Sequence, residues 1–510
     1  MDMVQYKKKL QRDVFILLLS VVVAVLLVVS GSIHSISDNL GEWGLIGVFL
    51  AGMGFSSAFF AAPATIFIFA FAQNPFPFWL VAIVAAIGAM LGDLLIFVLG
   101  YLVISLAYFL RVDKSAVALL IGGVLWVLIA ATLPHDAIGS ALAEAGSDIF
   151  SIIVFLLGAM TLVEILTHYR IFDLIRVRLF ALHVSDRAQF WIIGILTFCL
   201  SPILDNLTTT IVMAQVAQRF FRGQNLLLAI AAIVVSANAG GAFSPIGDVT
   251  TLMLWLAGKF SALEVISQLF FPSLFLFLVS NWLLARRLQA DTQDVEEETQ
   301  VSFSLSEKII CGFVFLAFTM PFFFSQLGLP PYLGIITGLA FVWFVGDVFK
   351  IVVPQPSHLS VDINRFLQKT DIATLKFFIG ILLAVSALAH LGILAHASEA
   401  MFGNAPTEGR LIAGSVVLGI LSAVVDNVPL TAAAIDILHT TNSAIWSLLA
   451  LAVGTGGSLL IIGSAAGIVA MGTAQEMTFF RYLRIATVPA FIGYVAAIVT
   501  WFIQFRLFFA

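Results

Sequence analysis

The sequence predicts an all-α polytopic membrane protein made of two inverted-topology repeats, each with a re-entrant helical hairpin and a broken transmembrane helix. Three observations lead there. The 510 residues are 61% hydrophobic and 10% charged, with a mean hydropathy of +1.09, against about 25% charged in soluble domains. Crossing a hydrocarbon core about 30 Å thick takes roughly 20 helical residues. Apolar stretches of that order fall near 14–32, 43–72, 79–109, 116–133, 147–166, 190–220, 226–258, 263–285, 307–325, 332–349, 372–396, 410–440, 445–478 and 482–507. Three patterns then recur in the same order in the two halves, as the hallmark of internal duplication.

Residues 1–90 form an extra N-terminal membrane segment. Lys7, Lys8, Lys9 and Arg12 precede the apolar run 14–29, which reads as an uncleaved signal anchor with its N-terminus in the cytoplasm. The first repeat spans 91–285. It contains FLLGAMTLVEIL from Phe155 to Leu166, then an amphipathic stretch, Tyr169 to Arg187, whose Arg170, Arg176, Arg178 and Arg187 place it at the cytoplasmic interface. An acidic linker, 286–306, carries Asp291, Asp294, Glu296, Glu297 and Glu298. The second repeat spans 307–510.

The recurrences align the two repeats. FFIGILLAVSAL, starting at Phe377, follows Phe155 by 222 residues; Asp426-Asn427 follows Asp205-Asn206 by 221; Gly456-Gly457 follows Gly240-Gly241 by 216. Each Asp-Asn piece is too long for one crossing and too short for two, which suits a re-entrant hairpin with its polar tip near mid-membrane. The Gly-rich pieces read as helices broken at their centre. Five crossings plus one re-entrant hairpin bring the chain out of each repeat on the side opposite to its start, hence the inverted topology.

The candidate site lies in these pieces. An ionised Asp at the centre of a membrane helix costs about 2.5–3.5 kcal/mol on insertion scales, so Asp205, Asp248 and Asp426 are functional-site residues by default. Around them stand Asn206, Thr208 and Thr209 in the first hairpin, Asn238, Thr250 and Thr251 in the first Gly-rich piece, and Ser422, Asn427, Thr455, Ser458 and Ser464 in the second half. Carboxylate, amide and hydroxyl oxygens favour a hard cation, and a carboxylate removed from water needs a proton or a cation as counter-charge. Na⁺ or Li⁺ is expected at Asp205, Asn206, Asp248 and Asp426. The alternative for the aspartates is helix capping, and for the second-half hydroxyls helix packing. Because Ser464 stands where the first half has Asp248, the site is asymmetric. Glu164, at i, i+4 spacing from His168, suits either a proton relay or an interfacial salt bridge. Asp93 and Asp436 are weaker candidates.

Other classes find little support. Lys and Arg number 24 against 29 Asp and Glu, giving a net charge of −5 without a basic block, so no nucleic-acid partner is expected. Cys199 and Cys311 lie in separate apolar runs, which excludes a CxxC metal or redox site. HExxH, GxSxG, Walker A and GxGxxG are absent, and no enzyme activity or cofactor is expected. A channel needs a continuous pore, whereas two half-sites suit alternating access.

FLLGAMTLVE, SPILDNLTTT, ANAGGAFSPIGDVTTLMLW, DNVPL and GTGGSLLIIGSAAG resemble the NhaD-type sodium/proton antiporters of the ion transporter superfamily, over about Asp113 to the C-terminus. The resemblance implies Na⁺ or Li⁺ exchange for H⁺, inverted repeats with two re-entrant hairpins, and homodimers in the lipid bilayer. It places ion and proton residues on Asp205, Asn206, Asn238, Asp248, Thr250, Thr251, Ser422, Asp426 and Asn427. A bacterial cytoplasmic membrane is the expected location. The same superfamily holds citrate, dicarboxylate and arsenite carriers, the alternative reading; three central acidic residues argue against an anion. A membrane enzyme or lipid-handling protein is the reading from another class, through a faint DedA-like resemblance of Gly52 to Pro63 with the GAMLGDLLIFVLGY run.

Overall fold

Serine, threonine and asparagine stand where apolar runs begin, and there they start helices by pairing backbone N–H groups that a first turn leaves open. The computed structural model describes residues 45–55, 80–81, 84–85, 88, 114–132, 135–180, 184–289, 305–352, 363–403, 406–474 and 476–508. In it Ser185, Ser261, Thr407, Asn442 and Thr478 each cap a helix. Ser261 and Glu264 do so reciprocally: the Ser261 N–H donates to the Glu264 carboxylate at 2.7 Å and the Glu264 N–H to the Ser261 hydroxyl at 3.3 Å.

Every regular element among the described residues is a helix. In chain order these are α1 (Leu45–Phe55), α2 (Lys114–Thr132), α3 (His135–His168), α4 (Ile171–Phe180), α5 (Asp186–Leu204), α6 (Asn206–Phe220), α7 (Gly223–Ala242), α8 (Val249–Leu256) and α9 (Ala262–Ala285). The second half adds α10 (Leu305–Gln326), α11 (Pro331–Val352), α12 (Ile363–Lys369), α13 (Ile372–His390), α14 (Ile393–Phe402), α15 (Glu408–Leu421) and α16 (Asn427–Ile437). It closes with α17 (Ser443–Gly456), α18 (Ala465–Thr473), α19 (Phe479–Ile485) and α20 (Thr487–Phe508). Eight of them, α3, α5, α7, α9, α10, α11, α13 and α20, are long and apolar enough to cross a membrane. The chain is an integral multi-pass membrane protein.

Four of the stretches too long for one crossing, 190–220, 226–258, 410–440 and 445–478, are each broken in two, as α5–α6, α7–α8, α15–α16 and α17–α18. Three boundaries differ from the apolar runs, one being the division of 482–507 at Ala486 between α19 and α20. Helix α3 starts at His135, well before the run at 147, because the intervening HDAIGSALAEAG is rich in helix-forming Ala, Leu and Glu. The run 372–396 divides at Gly392, whose φ of +73° ends α13 and precedes α14. The amphipathic stretch after Tyr169 is the short helix α4. The proposed signal anchor, Asp93, most of the N-terminal segment and residues 290–304 of the acidic linker lie outside the described residues.

The chain packs as two compact units, residues 1–145 with 379–396, and 146–378 with 397–510. In the first, α2 lies tightly against α13: a Cβ on Gly122 would sit 2.7 Å from the Gly380 carbonyl oxygen, and Trp126 Nε1 donates to the Leu383 carbonyl at 3.0 Å.

In the second unit, α7 and α17 are the central helices. The apolar window of α7 is fully buried, against 28% for α11 and 33% for α10, and nearly every residue of α17 is buried. Small and polar residues such as Ser236, Asn238 and Gly240 let neighbouring helices enclose α7, whereas α10 and α11 show large apolar side chains such as Phe323 and Phe344 on their outer faces. Helices α5 and α6 pack on α7 as α15 and α16 pack on α17, while α6 also meets α18 and α16 meets α8. The same atoms recur at the crossings. The Ser201 hydroxyl donates to the Ala237 carbonyl at 2.6 Å, and Ser422 to Val453 at 2.7 Å. A Cβ on Gly240 would strike the Phe198 carbonyl, and one on Gly456 the Gly419 carbonyl. Both glycines exist because backbone touches backbone there.

We expect Gly240→Ala and Gly456→Ala each to destabilise the purified protein by about 1–3 kcal/mol, read as a lower thermal-unfolding midpoint in detergent. Gly472→Ala, with open space around its Cβ position, is expected to keep the wild-type midpoint. Unchanged midpoints for the first two would contradict the backbone contact.

Candidate functional site

The breaks between paired helices carry the polar residues. Helix α5 runs through Pro202 to Leu204, Asp205 turns the chain with φ +66° and ψ 160°, and α6 starts at Asn206. With ψ 160° this positive φ lies outside the left-handed helical region that Asp tolerates and in one almost reserved for glycine, at a cost of order 1–3 kcal/mol. The turn is held by the Asn206 N–H, which donates to the Gly247 carbonyl at 3.0 Å. The Asp205 carboxylate accepts from the Thr208 N–H at 2.7 Å and from the Thr208 hydroxyl at 2.9 Å. In the second half Asp426 caps α16 by accepting from the Val428 N–H at 3.1 Å. Both carboxylates therefore cap the helices they precede, and both are partly exposed.

Asp248 behaves differently. It precedes α8 yet makes no side-chain cap, and it is 2% exposed. One oxygen, Oδ1, accepts from Asn206 Nδ2 at 3.1 Å and from Asn427 Nδ2 at 3.3 Å. Those two asparagines are the recurring pair of the sequence, one from each half. The other oxygen, Oδ2, is buried without a hydrogen-bond partner. The Thr250 hydroxyl approaches this carboxylate without meeting hydrogen-bond geometry and is itself unpartnered. Asp205 and Asp426 both lie within electrostatic range of Asp248.

Asn238 completes the cluster. Its Oδ1 accepts from Asn206 Nδ2 at 3.0 Å, and its Nδ2 donates to the hydroxyls of Ser458 at 2.8 Å and Ser464 at 3.1 Å. Ser464 also caps α18 by accepting from the Gly467 N–H at 3.2 Å. Asn206, Asn238, Asp248, Asn427, Ser458 and Ser464 thus form one buried hydrogen-bonded network. Thr209 and Thr210 are fully buried with hydroxyls that have no partner.

Other expected residues turn elsewhere. The Ser422 hydroxyl serves the α15–α17 crossing, Thr455 donates to the Leu451 carbonyl of its own helix at 2.5 Å, and Thr251 to the Ala242 carbonyl at 3.3 Å. Glu164 pairs with Lys369 Nζ at 3.1 Å, in a partly exposed ion pair, and the His168 ring lies 5.1 Å from the rings of both Tyr169 and Phe366. A pair so exposed contributes about 1 kcal/mol or less. Asp436 is exposed on α16.

Sequence reasoning missed three residues. Ser201 stands 221 positions before Ser422 and makes the matching contact. Tyr482, fully buried, donates its hydroxyl to the Ser458 carbonyl at 2.7 Å, and nothing in its local sequence marks it. Gly454 lies against Asp248: a Cβ there would stand 2.6 Å from Oδ2.

Chemically, the network supplies oxygen donors and one anionic centre. Among the described residues no group of three or more His, Cys, Asp or Glu side chains converges to hold a metal ion, and the hydrogen-bonded partners of Asp248 are neutral amides. Leaving a buried charged oxygen unpaired costs more than the roughly 1–3 kcal/mol of a neutral group, which makes Asp248 Oδ2 the point of the site most in need of a positive partner.

Comparison with known proteins agrees with the resemblance read in the motifs. Residues 101–456 match the family model described as citrate transporter, CitMHS. The chain is 36% identical over 429 residues to sodium/proton antiporter 1 of Arabidopsis thaliana, covering 81% of this chain and 72% of that protein. It is 35% identical over 421 residues to sodium/proton antiporter 2 of the same plant, covering 80% and 98%. With the Na(+)/H(+) antiporter NhaD of Vibrio cholerae it shares 33% identity over 435 residues, covering 80% and 90%. Matched over most of its length by these relatives, the chain belongs to the CitMHS transporter family, alongside members named as sodium/proton antiporters.

Proposed function

We propose that this protein is a secondary active antiporter that exchanges Na⁺, or Li⁺, for H⁺ by alternating access. The observation that carries the reading is Asp248: a buried carboxylate held on one oxygen by an amide from each half, with no hydrogen bond of normal geometry to its second oxygen. A carboxylate out of water is stable only with a proton or a cation. Both cannot occupy Oδ2 together, and that exclusion is the essence of exchange. The names of the relatives support the same ions.

In this reading Asn206 and Asn427 fix the direction of the Asp248 side chain, so that Oδ2 meets the ion in one geometry. The unpartnered hydroxyl of Thr250, beside the Asp248 carboxylate, supplies a neutral ligand, and the partly exposed Asp205 and Asp426 attract the cation. Alternating access follows if residues 91–285 and 307–510 are inverted repeats whose α5–α6 and α15–α16 pairs are re-entrant hairpins. The recurring contacts at Ser201 and Ser422 and at Gly240 and Gly456 support that duplication. A homodimer is part of the same proposal.

The family description favours a second reading, a citrate carrier with the asparagines and hydroxyls as its site. The decisive assay uses everted vesicles loaded with a pH-sensitive dye, to which NaCl, LiCl, KCl and sodium citrate are added in turn. Dequenching by NaCl or LiCl is the expected result. A response to citrate alone would replace the cation reading with the anion one.

Two further outcomes are expected. Asp248→Asn and Asp205→Asn remove exchange while folded protein stays in the membrane, as judged by size-exclusion profiles; near-normal exchange by both would sink the proposed site. Because proton and cation compete, raising the pH lowers the half-saturating Na⁺ concentration, by roughly ten-fold per pH unit where the site is mostly protonated. A half-saturating concentration independent of pH would contradict competition at one carboxylate.

A further inference from the structure

The sequence recurrence pairs Asn238 with Gly454, Asp248 with Ser464 and Ala242 with Ser458, each 216 residues apart. The structure turns this into a geometric relation. In one direction Asn238 reaches from α7 to Ser464 and Ser458, donating to both hydroxyls. In the other direction the same pair of neighbours recurs around Gly454 on α17. A Cβ there would lie 2.6 Å from Asp248 Oδ2 and 3.9 Å from the Ala242 Cβ. An amide at 454 would therefore stand toward Asp248 as Asn238 stands toward Ser464. The sequence places glycine there instead, and Asp248 Oδ2 is left without a donor.

We propose that Gly454 is the specificity-determining residue of the site: by withholding a side chain, it keeps Asp248 Oδ2 available to a small desolvated monovalent cation and limits the size of the cation that fits. This rests on the cation/proton reading above. The asymmetry has a direct consequence. Where Asn238 satisfies its neighbours permanently, the repeated position leaves the need for a partner to be met by a passing ion. The bare α17 backbone at Gly454 lies beside Oδ2, so a methyl group there, 2.6 Å from that oxygen, has to displace the carboxylate tip and with it the room for an ion.

The substitution is local. The atom nearest to a Cβ on Gly454 is the tip of a carboxylate side chain, and no backbone atom is among its three nearest contacts within 4 Å. At Gly456, by contrast, the obstacle is backbone.

The test is Na⁺- and Li⁺-driven exchange by the full-length protein in proteoliposomes, for wild type, Gly454→Ala, Gly454→Asn and Gly472→Ala as the control, with thermal unfolding of each. Gly454→Ala is expected to raise the half-saturating Na⁺ concentration by roughly ten-fold, the scale of one methyl group in a fitted pocket, and to raise that for the smaller Li⁺ by less. Gly454→Asn, whose amide can donate to Oδ2, is expected to lose exchange. Wild-type ion dependence in Gly454→Ala, or equal weakening for both ions, would overturn the proposal while leaving the antiporter reading standing. Absence of Na⁺ and Li⁺ exchange in the wild type would overturn both. Should Gly454→Ala fail to fold, Gly454→Ala with Asp248→Ser replaces the carboxylate by the shorter residue found at the matching position, 464. Recovered folding then shows that the 454 side chain and the Asp248 carboxylate compete for one space, and continued misfolding refutes it.

Discussion

A single carboxylate taken out of water sets the terms for the rest of this structure. Asp248 is buried beside the break between α7 and α8, and two amides drawn from opposite halves of the chain steady one of its oxygens. Desolvating a charge costs several kcal/mol even after relaxation. Two neutral donors on one oxygen offset part of that, and the remainder keeps the site in search of a proton or a cation. Asp205 and Asp426 meet part of the same demand by capping the helices they precede, and are less fully buried.

The packing serves that carboxylate. Asn206 and Asn427 can reach the same oxygen only if the turns at Asp205 and Asp426 are brought close to α7 and α17. The chain achieves this with glycines that let backbone meet backbone at Phe198 and Gly419, and with serines that tie the crossings through carbonyl oxygens. Small residues and hydroxyl-to-carbonyl bonds are the means available where lipid offers no hydrophobic gain from helix association. The central helices are enclosed, and the outer helices α10 and α11 present the large apolar side chains that lipid accepts.

Much of the fold was legible from composition and from the length of the apolar runs, because helical crossing imposes a residue count that a reader can measure. The breaks were legible too, in Gly240-Gly241 and Asp205-Asn206 and their recurrences. What the sequence could not rank were its three central acids. Each precedes a helix, and the capping alternative applies to all of them; it describes Asp205 and Asp426, but Asp248 turns its side chain toward Asn427, 179 residues away. Glu164 shows the same limit. Its spacing to His168 is visible locally, whereas its ion-pair partner Lys369 belongs to another helix altogether. Ser422, Thr455 and Thr251 have the right chemistry for ligands, and each hydroxyl also donates to a backbone carbonyl, for Ser422 on another helix and for Thr455 on its own. Gly454 was hidden because an absent side chain signals nothing until its neighbour is known.

The central claim is that one buried carboxylate holds either a proton or a cation. Its most direct measurement is proton release from the purified protein in weakly buffered detergent solution, followed with a pH indicator as NaCl or LiCl is added. The account predicts saturable acidification by the wild-type protein with both salts, and none from Asp248→Asn. No acidification by the wild type, or the same acidification from the variant, would contradict it.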